Sequence, residues 1–155
     1  MPIAYVKGVI TPELTVMAGL LPTLVGAEST FTFQNINIER GLLWNQEPAV
    51  SRGVQINYAH GPFSAAVSLN DGYYSGKLNW LSGTLGYAID SSNSISFVGA
   101  GSLTRNDKSS VATPVAQNNS SIFNLIYSHT SGPLTITPYL QYGHVGRDDQ
   151  LGINR

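Results

Sequence analysis

The chain has 155 residues, a formal net charge of −1 and no cysteine, and only 11% of its residues are charged, against roughly 25% in typical soluble domains. The near-neutral balance lacks the clustered Lys and Arg that nucleic-acid binding requires, so we expect no nucleic-acid partner. The absence of cysteine excludes disulfides and thiolate metal sites. No stretch approaches the ~20 apolar residues of a membrane-spanning helix.

Strand-like runs separated by alternating short and long connections organise the chain. The runs are 3–10, 14–21, 49–60, 63–70, 80–89, 94–105, 119–129 and 134–144. Tight turns at 11–13, 61–62, 90–93 and 130–133 alternate with long connections at 22–48, 71–79 and 106–118. This alternation is typical of outer-membrane β-barrels, which have short periplasmic turns and long extracellular loops. It predicts an all-β, antiparallel up-and-down meander of about eight strands, a section of a transmembrane barrel. Pro138 predicts a bulge or a strand end in the last run.

The two faces of the predicted strands differ in polarity. In 80–89 one face carries Leu81, Leu85 and Tyr87, and the other carries Ser82 and Thr84, which is the period of two expected of a strand. Within the runs only three residues are charged: Lys7, Arg52 and Arg105. An apolar exterior and an uncharged polar interior fit lipid outside and a wet lumen inside. The candidate lumen-lining residues are Ser64, Ser68, Ser82, Thr84, Asn124, Thr135, Thr137 and Gln141.

The connection 22–48 is too long for a simple turn, and long loops in compact domains are often functional. Its apolar residues, among them Leu42 and Trp44, indicate that part of it packs on the barrel, with a short helix or turn within 36–46. We expect the segment either to fold inward and constrict the pore or to be pinned by an ion-pair and hydrogen-bond network. The candidates for these roles are Glu28, Asn35, Asn37, Glu39, Arg40 and Arg52.

A family resemblance is centred on the same segment. It rests on the spacing of Gly19, Thr23, Gly26, Glu28, Asn35, Asn37, Arg40, Pro48, Gly53 and Tyr58, and on Asn70-Asp71-Gly72 after the next strand. This pattern, over about 14–80, resembles the outer-membrane β-barrel porin type 2 (OmpL-like) family, although Leu20 stands where we would expect Lys. The resemblance implies a porin-like barrel in the outer membrane of a Gram-negative bacterium.

No motif indicates catalysis, and we expect no enzyme, no cofactor and no metal site. His60 and His129 precede short turns and should lie at the same rim, where interfacial histidines are the simpler interpretation than a metal pair. Asp148 and Asp149 beside Arg147 are expected to be a solvated loop cluster.

The favoured function is passive diffusion of small hydrophilic solutes or ions through an integral barrel of the bacterial outer membrane, in contact with its lipid. One alternative is a soluble ligand-binding barrel of lipocalin or avidin type, which would need a charged exterior. Another is a non-conducting structural or adhesion barrel, whose eight strands would enclose a side-chain-filled interior. Because the first run begins at residue 3 and the chain stops in a polar stretch, we expect one domain, 1–155, that is a barrel section incomplete at both ends.

Overall fold

The computed structural model describes residues 3–35, 39–110 and 113–154. Within this part of the chain, nine strands form one antiparallel sheet in which β1 to β8 lie side by side in chain order. The strands are β1 (Ala4–Val9), β2 (Leu14–Pro22), β3 (Val50–His60), β4 (Phe63–Asn70), β5 (Trp80–Ala88), β6 (Asn93–Ser102), β7 (Ser120–Ser131), β8 (Leu134–Ile136) and β9 (Tyr139–Val145). The predicted all-β, up-and-down meander is confirmed.

The predicted last run, 134–144, is two strands rather than one. The short β8 pairs with the end of β7, and β9 pairs with Ser120–Ile126 earlier on the same strand. The interruption lies at Thr137 and Pro138, where proline has no N–H to donate to the ladder. The Pro138 carbonyl still accepts a hydrogen bond of 3.1 Å from the Tyr127 amide. Proline therefore divides the strand without detaching it from the sheet.

In the part of the chain that the structure describes, helical structure lies in the connections and after β9. Single 3-10 turns form at Thr32–Gln34, Leu42–Gln46 and Asp149–Leu151, and a short helix, α1, covers Val115–Asn118. The turn at Leu42–Gln46 lies in the range where the sequence predicts a short helix or turn. Among the described residues, no helix has both the length and the apolar character needed to cross a membrane.

In β3 to β7, the half of the sheet next to the long connections has one buried and one solvent-accessible face, because successive strand residues point to opposite sides. In β5, Trp80 and Ser82 are 1% and 2% exposed, whereas Leu81 and Leu85 are 41% and 64% exposed. We call the side that bears Trp80, Ser82 and their cross-strand partners the covered face, and the side that bears Leu81 and Leu85 the exposed face.

The exposed face is the apolar one. Its exposed residues include Val54, Ile56, Tyr58, Phe63, Val67, Leu69, Leu81, Leu85, Tyr87, Ile95, Phe97, Phe123, Leu125, Tyr127, Leu134, Ile136, Leu140 and Tyr142. Cross-strand pairs such as Val67–Gly83 and Phe97–Leu125 join this surface across neighbouring strands. A soluble monomer rarely exposes an apolar patch larger than a few hundred Å². The surface is therefore suited to an apolar surrounding.

The covered face carries a small apolar cluster among polar side chains. Val98, Ala100 and Ile122 contribute from β6 and β7, and Trp80 contributes from β5. The remaining members, Val25 and Tyr73, come from the connections 22–48 and 71–79. The rings of Tyr73 and Trp80 meet edge to face with centroids 5.2 Å apart. Two long connections thus pack against the same side of the sheet.

A pair of neighbouring substitutions tests which face meets lipid. Leu85→Arg on the exposed face should destabilise the bilayer-inserted protein by about 2–4 kcal/mol, the cost of Arg on the lipid side near the midplane. Thr84→Arg, one residue away on the covered face, should cost much less because its charge can remain in water. Urea unfolding of each variant in lipid vesicles measures the difference. The reverse order of destabilisation would indicate a water-facing exterior.

Candidate functional site

The connection between β2 and β3 lies across the covered face. We call residues 23–49 the folded-over segment. Val25 is 1% exposed within the apolar cluster, and the Gly26 amide donates to Asn124 Oδ1 of β7 at 3.1 Å. Near the other end, Gln141 of β9 donates to Gln46 Oε1 at 3.3 Å, and the Tyr73 hydroxyl donates to the Gln46 carbonyl. The segment connects β2 to β3 but is hydrogen-bonded to β7 and β9, which lie several strands away on the same face of the sheet.

The folded-over segment has two limbs, 23–35 after β2 and 39–49 before β3, and Arg40 joins them. Its guanidinium donates to the carbonyls of Ser29 at 2.9 Å and Thr30 at 2.5 Å. The same group lies over the Trp44 ring, 3.6 Å from its centroid, a favourable cation–π geometry. All of these contacts of the guanidinium are with residues of the folded-over segment.

Two further predicted residues contact the same segment. Asn35 accepts from the Ser29 amide at 2.6 Å and donates to the Ser29 carbonyl at 3.1 Å. Glu28 accepts from the Gly41 amide at 2.8 Å. Glu39 is exposed, and Asn37 lies outside the described residues. The structure thus brings Glu28, Asn35 and Arg40 into one local network.

Arg52 lies elsewhere. It has the same orientation as Val54 and Ile56, so it points to the exposed face, and its side chain is 61% exposed. Its Nε donates to Asp71 Oδ2 at 3.2 Å. The partner of Arg52 thus belongs to the connection 71–79, at a distance from the contacts of Glu28 and Arg40.

The candidate lumen-lining residues share the covered face. Ser64, Ser68, Ser82, Thr84, Asn124, Thr135 and Gln141 are placed there by the register of their strands. Thr137 lies between β8 and β9, and its hydroxyl is 3.3 Å from that of Ser128 on the same face. Asn124 donates to Gln141 Oε1 at 2.7 Å. Asn70 donates to the hydroxyls of Ser68 and Ser82 at 3.2 and 3.4 Å. Short polar side chains on this face therefore hydrogen-bond across strands.

Glu47 is the residue that the sequence-based candidates omit. It follows the 3-10 turn Leu42–Gln46, is 6% exposed, and has no hydrogen-bond partner for either carboxyl oxygen among the described residues. Burial, followed by the nearby charge of Glu28, raises the pKa of Glu47 to about 8, and Arg40 opposes the shift. In the sequence, only its position immediately before Pro48 and β3 distinguishes Glu47. Its burial could not be predicted because it depends on the path of the folded-over segment.

Gly26 lies against the Glu47 carboxyl. Its φ of +85° is in the left-handed region, where only glycine is free of strain. A Cβ at this position would overlap the carboxyl atoms of Glu47. The glycine therefore allows the two limbs of the segment to approach each other at this point.

The titratable residues near the turns and the chain end have local partners. His60 lies 3.9 Å from Glu13, and His129 Nδ1 lies 2.8 Å from Asn93 Oδ1. Asp148 pairs with Arg105 at 2.7 Å. Within the ranges that the structure describes, no group of three or more His, Cys, Asp or Glu side chains could hold a metal ion.

Comparison with known families agrees with this geometry. The model of the family described as "Putative beta-barrel porin-2, OmpL-like" matches residues 1–155. The chain belongs to this family. The resemblance predicted from residues 14–80 is confirmed and extends over the full sequence, so this porin-2 member has a porin-like β-barrel fold. No curated protein and no solved structure matches the chain.

The Arg40 network in this porin-2 member makes a local prediction. Arg40→Ala removes two charged hydrogen bonds and one cation–π contact, so the free energy of local opening of the folded-over segment should fall by about 2–3 kcal/mol. Hydrogen exchange of the amides in 23–49 measures this change, with those of β4 to β6 as an internal reference. Arg147→Ala is the matched control, because its pair with Asp149 is exposed on both sides. Unchanged protection of the segment would contradict the role assigned to Arg40.

Proposed function

We propose that the protein is a porin-like channel of the bacterial outer membrane through which small hydrophilic solutes or ions diffuse passively. The observation that carries the proposal is the distribution of polarity in the sheet. Its exposed face is apolar across β3 to β9, whereas its covered face bears hydroxyl and amide side chains. Membership in a porin-like family supports the same assignment.

The proposed orientation follows from the connections. In outer-membrane barrels the short turns lie on the periplasmic side and the long loops outside the cell. The folded-over segment and the connections 71–79 and 106–118 would then be extracellular. The exposed apolar face would contact the lipid, and the covered face would line the aqueous path.

We further propose that the folded-over segment narrows this path. Its attachments to Asn124 and Gln141 hold it over the candidate lumen wall. Arg40 would serve mainly to pin the segment, because its donors already bind the carbonyls of Ser29 and Thr30. Glu28, Asn35, Asn37 and Glu39 remain proposed contributors to the constriction or to its support.

A non-conducting structural barrel is the second candidate. The observation that favours it is the apolar cluster that Val25 and Tyr73 form with Trp80 on the covered face. If that cluster fills the interior, solute has no path. A soluble ligand-binding barrel is disfavoured by the apolar exposed face.

Planar-bilayer recordings of the refolded full-length protein test the channel and the constriction together. In a variant, Asn-Gly replaces residues 24–48, which preserves a hairpin because Thr23 and Ala49 are already hydrogen-bonded neighbours. The wild-type protein should conduct, and the shortened variant should show larger single-channel conductance. Absence of conductance in both would refute the channel. Equal conductance in both would refute the constriction.

A further inference from the structure

Glu47 has an environment suited to a neutral acid and unsuited to a carboxylate. Its carboxyl group is buried against Gly26. Neither oxygen receives a hydrogen bond from the described residues. An ionised carboxylate without partners is costly to bury, so such a group is protonated or leaves the site.

The surroundings reinforce that preference. The charged and titratable groups that face Glu47 are Glu28 and Arg40 of its own segment, Tyr73 of the connection 71–79, and Tyr139 of β9. Glu28 repels a negative charge at Glu47. Arg40 attracts it, but its guanidinium donates to the Ser29 and Thr30 carbonyls. Arg40 therefore offsets the burial of Glu47 only in part.

Glu47 also lies where its movement would affect the rest of the segment. Gln46 is the residue that Tyr73 and Gln141 bind. Gly26, on the other limb, is adjacent to the buried Val25 and donates to Asn124. Displacement of the Glu47 side chain would therefore disturb both limbs where they attach to the sheet.

We propose that Glu47 is a pH-sensitive latch, whose neutral side chain lets the folded-over segment dock on the sheet and whose ionised side chain releases it. The consequence for conductance rests on the proposed channel function. In that context the pore is narrow in acid and wider in alkali.

The direction follows from proton linkage. A released Glu47 titrates near its ordinary pKa of 4.5, whereas the docked group has a pKa of about 8. The docked state thus binds the proton more tightly, so docking is favoured in acid and weakens as pH rises from about 5 to about 8. Each pH unit in this window lowers the docking equilibrium constant about tenfold, for a total of roughly 10³-fold.

The experiment uses Val25 as a reporter, because the chain has no native cysteine, Val25 is 1% exposed in the docked segment, and release of the segment would expose it. Val25→Cys is placed in the full-length protein in lipid vesicles and treated with a membrane-impermeant thiol reagent between pH 5 and 9. The same measurement on Val25→Cys with Glu47→Gln gives a ratio of rates at each pH. This ratio cancels the ionisation of the thiol itself.

The ratio should rise steeply between pH 5 and 8, because only the protein with Glu47 releases the segment. Glu13→Gln in the 11–13 turn is the matched control and should leave the rise unchanged. Glu47→Met is a second neutral variant in case Gln impairs folding. A ratio of labelling rates that does not change with pH would overturn the latch. Loss of the rise in the Glu13→Gln variant would overturn it as well.

Conductance measured on the same proteins separates the two proposals. A pH-dependent labelling ratio without any conductance supports the latch and refutes the channel. Stable conductance with a flat labelling ratio supports the channel and refutes the latch. Conductance that rises with pH in the wild-type protein, and not in Glu47→Gln, supports both.

Discussion

Side chains alternate between the two faces along each strand, and this alternation determines both the polarity of the sheet and what can pack on it. Because neighbouring residues point to opposite faces, the sequence of β5 separates Leu81 and Leu85 from Ser82 and Thr84. Pairing in register then extends the separation from strand to strand. The result is a sheet with an apolar exposed face and a covered face whose polar groups hydrogen-bond with one another.

This separation explains why the folded-over segment is built as it is. The covered face bears hydroxyl and amide groups together with the small apolar cluster of Trp80, Val98, Ala100 and Ile122. Val25 packs into the apolar cluster. The Gly26 amide donates to Asn124, and Gln46 accepts from Gln141. Glu47 lies between these attachments, and its carboxyl oxygens have no hydrogen-bond partner among the residues that the structure describes. Apolar and polar contacts thus stabilise the docked segment, and the buried Glu47 carboxyl beside them lies in surroundings that oppose its ionisation.

Most of the fold could be predicted because it depends on local sequence. Periodicity and turn residues located the strands within a few residues, and Pro138 indicated the interruption that became β8 and β9. Arg52 lies in the predicted run 49–60, and its even spacing with Val54 and Ile56 places it on their face. Its partner Asp71 could not be predicted in this way, because the spacing within one strand does not specify contacts with the connection 71–79.

The environment of Glu47 could not be predicted in the same way. It depends on where two limbs of a long connection meet, and no periodic pattern specifies that path. The partners of Arg40 are likewise carbonyls of Ser29 and Thr30, which any sequence would supply. The residue types in this segment identified the candidates, but their contacts depend on the path of the backbone, which the sequence pattern does not specify.

A single-cysteine scan through residues 81–87 of β5 in the cysteine-free full-length protein, reconstituted in lipid vesicles, tests which face of the sheet meets lipid. A fluorophore on each cysteine is exposed to a water-soluble quencher and to brominated lipid. We predict alternation, with lipid quenching at 81, 83, 85 and 87 and aqueous quenching at 84 and 86, whereas position 82 is covered by its neighbours. Uniform quenching, or the opposite alternation, would contradict a lipid-facing exterior and a polar interior.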